Sequence, residues 1–284
     1  MRAEFFHAGR LFGACALLPL ALAACAPAPA APSPQRGDLP RIVSLNPCVD
    51  AVLVEVAAPM QVLALSHYSR DPAASSIDPA TAARFAVTGG SVEEVVALAP
   101  DLVLADTFTA PSTRQALADL DIPVRYFGIA ATPQDSIAQV REIAGAVGER
   151  ARGEALAQRI EQALAADAAP SGVAPLGAVL WQPGQIVPGE ATLVQQLMER
   201  AGFASHSAAR GLGQADFLAL ERLLADPPDV LLVAGDARAQ RHPALAGLNH
   251  THIARFDPAL LYCGGPTIIR AMERLAQVRD EVAP

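Results

Sequence analysis

Short aliphatic runs alternate with helical patterns over most of the chain. Residues 41–45, 62–66, 102–105 and 124–127 read as strands of a first lobe, and 177–181, 230–233 and 253–256 as strands of a second. Between them residues 133–168 hold no strand-like run. Apolar positions recur there at helical spacing, at Ile137, Val140, Ile143, Ala144 and Val147 and then at Ala155, Leu156, Ile160 and Leu164. Gly145 and Gly148 weaken the middle, so the pattern predicts two consecutive helices, the second over about residues 151–166. Residues 93–105 also repeat in residues 221–233, offset by 128 positions. Each copy is an amphipathic helix stopped by Pro-Asp and followed at once by an aliphatic strand, the α-to-β joint of a doubly wound sheet. The predicted fold class is α/β: two doubly wound lobes, residues 41–132 and 171–284, joined by a rigid helical connector over 133–170, with a ligand cleft between the lobes. A packed connector helix of about four turns resists bending, so the cleft is expected to be nearly preformed.

The first forty residues follow another pattern. Arg2 and Arg10 precede an uncharged run over 11–24, too short for a membrane span and suited to a signal peptide covering residues 1–24. The run ends in Leu22-Ala23-Ala24-Cys25, which looks like a lipobox, and Pro27, Pro29, Pro32 and Pro34 punctuate an extended tether over 25–40. Lipidation is expected at Cys25, giving an exported protein anchored to a membrane surface. Of the four cysteines this leaves only Cys48 and Cys263 in the folded part. Charge excludes one partner class. All 21 basic residues are arginine, against 29 acids, and the net charge of −8 argues against nucleic acid.

In α/β sheets ligands bind beyond the carboxyl ends of strands. The residues there are Asn46-Pro47-Cys48, His67-Tyr68-Ser69-Arg70 and Gly128 in the first lobe, and Trp181-Gln182 and Tyr262-Cys263 in the second. Tyr68, Trp181 and Tyr262 are three of the chain's four tyrosine and tryptophan rings, a placement that suits a large, flat or apolar ligand. The expected ligand-binding set is Cys48, His67, Tyr68, Arg70, Trp181, Tyr262 and Cys263. Cys48 and Cys263 leave several readings open. They are a disulfide, which would staple the cleft shut, soft metal or haem-iron ligands together with His67, or plain pocket lining. A bare metal ion would need a further ligand, for which Asp106 is the obvious addition. A hydrolase with Cys48 as nucleophile and His67 as base lacks an orienting residue and an oxyanion signature.

Residues 41–47 (Arg-Ile-Val-Ser-Leu-Asn-Pro), the segments 90–105 and 217–233, and Gly265-Pro266 opening the last helix resemble the substrate-binding proteins of ABC importers. The cluster in question serves cobalamin, haem, iron-siderophores and metal ions, and the likeness runs over residues 41–281. It implies a monomeric periplasmic receptor, not an enzyme, with no intrinsic cofactor and a ligand that contains iron or cobalt. It also implies that Glu93 and Glu221 dock on arginine pockets of the permease, which works with its ATPase. Cys48 and Cys263 depart from the usual pattern of an iron-siderophore receptor.

Overall fold

The structure, a computed structural model, describes residues 39–282. The expected signal peptide, Cys25 and all but the end of the tether lie outside the described residues. The first half runs β1 (Ile42–Ser44), α1 (Pro47–Val56), β2 (Val62–Ser66), α2 (Pro79–Ala82), β3 (Val87–Thr88), α3 (Val92–Leu98), β4 (Leu102–Asp106), α4 (Pro111–Asp119) and β5 (Val124–Phe127). Then come α5 (Pro133–Ala146) and α6 (Arg150–Ala166). The second half is β6 (Leu176–Trp181), α7 (Leu193–Arg200), β7 (Phe203–Ser205), α8 (Leu220–Ala225), β8 (Val230–Ala234), β9 (His252–Phe256) and α9 (Thr267–Val282).

Among the described residues nine strands form two wholly parallel sheets, ordered β3-β2-β1-β4-β5 and β7-β6-β8-β9. Central strands of such sheets are covered on both faces and read as unbroken aliphatic runs. Accordingly Val230, Leu231, Leu232 and Val233 of β8 are all buried. All seven strands read from the sequence are present; the two it does not predict, β3 and β7, are edge strands of two and three residues.

The segment repeated at an offset of 128 residues occupies matching places in the two sheets. β4 lies beside β1 and β8 beside β6, and the Pro-Asp stop does the same work twice. The Asp101 carboxylate accepts the Arg41 backbone N–H at 2.8 Å, and the Asp229 carboxylate accepts that of Gly177 at 2.7 Å. Each aspartate thus pins the start of the neighbouring central strand and fixes the register of the pair.

Local signals set the connector. Thr132 and Asp135 form a reciprocal capping box with Pro133 in the first turn of α5. The two helices are packed against each other, α5 also meets α1 and α7, and α6 meets α1 and α9. One apolar core therefore runs from Ile42, Val52 and Leu65 through Ile143 and Ile160 to Leu180, Val230 and Leu275. The α5–α6 approach depends on Gly153, where an added Cβ would overlap the Ala144 methyl. Gly153→Ala should cost about 1–3 kcal/mol in chemical denaturation, and Ala144→Gly in the same chain should recover much of it. A Gly153→Ala protein as stable as the parent would show that the helices are not held at this distance.

Candidate ligand cleft

A cavity of about 840 Å³ opens between the two sheets. That is toward the upper end of the roughly 300–1,000 Å³ typical of small-molecule sites. The first lobe contributes the exits of β1, β4 and β5. Asn46 caps α1, its side-chain oxygen accepting the backbone N–H of Cys48 at 2.8 Å and of Val49 at 3.3 Å. Asp106 accepts the Phe108 N–H at 2.6 Å, a tight turn that leaves the Phe108 ring 74% exposed in the cavity wall. After β5, Gly128 leads to Ile129, 80% exposed, and the Gly128 carbonyl accepts from Gln139 at 2.9 Å. The second lobe contributes Gln182 after β6, residues 188–194 leading into α7, residues 212–214, and residues 261–264 after β9. Gly189 donates its N–H to the Gln214 side chain at 2.9 Å, and no side chain would fit at 189 because the Gln214 backbone lies 2.8 Å from where a Cβ would stand. Tyr262 is 40% exposed; burial and the nearby Asp71 and Asp257 carboxylates push its phenol above the ordinary value, so it stays protonated and can donate a hydrogen bond.

The residues expected at this site divide. Cys48, Tyr262 and Cys263 line the cavity; His67, Tyr68, Arg70 and Trp181 do not. His67 and Arg70 turn to carbonyls of their own lobe, those of Thr88 and Phe85. The reason is strand order. β1 and β4 flank the switch point of the first sheet, whereas β2 lies toward the β3 edge, so its exit is displaced from the cleft. Trp181 is a correction of another kind. It is wholly buried in a second core with Val179 and Leu231, and its indole N–H donates to the Leu218 carbonyl at 3.0 Å.

Cys48 and Cys263 form a disulfide with Cα atoms 5.0 Å apart. Their sulfurs are thereby removed as thiolates, which overturns the metal set Cys48, His67 and Cys263 and the Cys48 nucleophile of the hydrolase reading. Among the described residues no group of three or more His, Cys, Asp or Glu side chains is placed to hold a metal ion. The bridge does not staple the cleft shut. It lies in the cleft floor, where the adjoining Gly265 N–H donates to Ser136 of α5 at 2.7 Å and Gly264 packs on the same side chain. Phe108, Ile129, Glu190, Gln139 and Gln214 are lining residues that the sequence reading did not single out. The exits of β4 and β5 pointed toward the first two; the others depend on how distant segments fold together.

Beneath the floor lies Asp50, fully buried one turn into α1. Its carboxylate accepts the Ser66 N–H at 2.8 Å and the Ser69 hydroxyl at 2.6 Å, pinning the turn after β2 against the helix. Burial raises its pKa from 3.8 to about 7, against the opposing pull of Ser44, Ser69 and Ser66.

A family model described as periplasmic binding protein matches residues 42–255. The chain belongs to that family. The periplasmic heme-binding protein RhuT from Roseiflexus sp. RS-1, in apo form, superposes with a TM-score of 0.69 at 22% identity, covering 86% of this chain and 99% of that one. HutB of Vibrio cholerae, a periplasmic heme-binding protein, gives 0.68 at 19% over 84% and 98%. The Vibrio cholerae vitamin B12-binding protein BtuF gives 0.66 at 15% over 86% and 98%. No curated protein sequence matches the chain.

Two stability predictions follow from these contacts. Reduction of Cys48–Cys263, or Cys48→Ala with Cys263→Ala, should lower unfolding stability by about 2–4 kcal/mol in urea titration, and an unchanged midpoint would contradict an interlobe bond. Because the folded pKa of Asp50 is raised, the unfolded chain loses that proton first, so this group's effect on stability worsens from about pH 4 to pH 7 and then levels. Asp50→Asn should therefore gain on the parent by up to the order of 4 kcal/mol between pH 4 and pH 8. Equal pH slopes in the two proteins would refute this.

Proposed function

We propose that the protein is the substrate-binding component of an ABC importer, capturing a metal-bearing organic ligand between its lobes and passing it to a membrane permease. The observation that carries this reading is the interlobe cavity of about 840 Å³, walled by the apolar groups of Phe108, Ile129, Leu212 and Tyr262. A bare ion would leave such a space unfilled, whereas a haem, a corrinoid or a ferric chelate occupies it. The similar structures, two heme-binding proteins and one vitamin B12-binding protein, support the same ligand range. The protein works by binding equilibrium, making and breaking no bond, and is held by lipid on Cys25 at the periplasmic face of a membrane.

Docking falls to Glu93 and Glu221. Both are exposed in the first turns of α3 and α8, and neither carboxylate has a hydrogen bond or ion pair among the described residues. The contrast with Glu94 supports this reading: its carboxylate is engaged by the Thr88 hydroxyl and the Gly89 N–H, both at 2.6 Å, which hold it below the usual carboxylate range. Two unengaged carboxylates on matched sites of two lobes make a bipartite acidic footprint for a basic partner.

Titration with haemin, cobalamin and a ferric siderophore, followed by visible absorbance, should show saturable binding of at least one at micromolar concentration or below. Absence of any spectral change with all three would sink the ligand class. Glu93→Arg with Glu221→Arg should abolish permease-dependent uptake while ligand affinity in solution stays intact; undiminished uptake would remove the docking role.

A further inference from the structure

The charge of the cleft points beyond its size. Among the described residues that line it, the only ionisable groups other than the Tyr262 phenol are two carboxylates, Asp106 on the first lobe and Glu190 on the second; none is arginine or histidine. The whole chain contains no lysine. The remaining side-chain donors and acceptors are mostly carboxamides, from Asn46, Gln139, Gln182 and Gln214. Each retains bonding capacity. Asn46 and Gln214 use their oxygens within the protein and keep their NH2 groups, Gln139 uses an N–H and keeps its oxygen, and Gln182 has no side-chain hydrogen bond among the described residues.

A ligand carboxylate entering this space would lose water and meet no cation, with two like charges in the walls. An amide substituent meets matching donors and acceptors instead. The Tyr262 phenol, pushed above its ordinary value by burial and by the Asp71 and Asp257 carboxylates, adds a neutral hydrogen-bond donor to the same wall. Resting on the importer reading, we propose that Asp106 and Glu190 are specificity-determining residues that sort ligands by charge. They admit a neutral or cationic, amide-bearing corrinoid and turn away carboxylate-bearing rings, including the two propionates of haem.

Two corrins that differ only in their side chains test this: dicyanocobinamide, whose side chains are amides, and dicyanocobyrinic acid, which carries seven carboxylates. At pH 7.5 and low salt the parent protein should bind the amide form at least about a hundredfold more tightly, a difference typical of like charges forced together. In Asp106→Asn with Glu190→Gln that ratio should fall at least about tenfold, whatever change the substitutions make to either affinity alone. Equal affinities in the parent, or an unchanged ratio in the double variant, would overturn the charge filter. Haemin added as a third probe separates the outcomes. Tight haemin binding with neither corrin bound overturns the inference and leaves the importer reading standing, while no binding of any probe overturns both.

Discussion

Everything else in this molecule depends on one apolar core that does not stop at the boundary between its lobes. Ile143 and Ile160 on α5 and α6 join Ile42 and Leu65 under the first sheet to Leu180 and Val230 under the second. Any wide rotation of one lobe would have to pull these side chains apart in water, at roughly 25 cal/mol for each Å² of apolar surface exposed. Two further ties act on the same side, the Gly265–Ser136 hydrogen bond and the Cys48–Cys263 bond. The floor of the cleft is therefore fixed, and its walls are built on the loops after β4, β5, β6 and β7. A cleft of this kind selects by shape and charge set in advance more than by closure around whatever enters.

The sheets were legible in the sequence because burial on both faces leaves an unbroken aliphatic run, which survives without any tertiary information. β3 and β7 were not, since two- and three-residue edge strands borrow their conformation from a neighbour. The repeat exposed the equivalent joints but not the work of Asp101 and Asp229, which needs the position of Arg41 and Gly177 as well. Looking past strand ends brought in Asn46, Cys48, Gly128 and Tyr262. It failed at His67–Arg70, because the order of strands in a sheet is a property of the fold and leaves no mark on the residues themselves. Trp181 went wrong by one residue of register. In β6, Val179 and Trp181 face one core while Ala178 and Leu180 face the other, so the ring closes the strand's inner alternation where an exit loop was expected.

Neighbouring carboxylates show how little a residue type says without its surroundings. Glu94 is consumed in shaping the turn before α3, whereas Glu93 beside it is left to solvent. Asp106 holds Phe108 in the cavity wall with one oxygen and keeps the other for the cavity. Asp50, three residues from Pro47, is fully buried, which raises its pKa to about 7. Four acids within one lobe thus stand in four settings, one braced in a turn, one left to solvent, one half-buried at the cavity and one fully buried.

The Cys48–Cys263 bond has a consequence in time as well as space. Its partners are 215 residues apart, and the interval contains β2 to β9, α2 to α8 and all of α1 but its first residue. A chain threaded amino end first into an oxidising compartment cannot close this bond until residue 263 has emerged, by which point all the strands of both sheets have been delivered. Oxidation of this pair is therefore a completion mark: it records that the two halves have met in the right relation, and a chain halted between them keeps Cys48 as an open thiol.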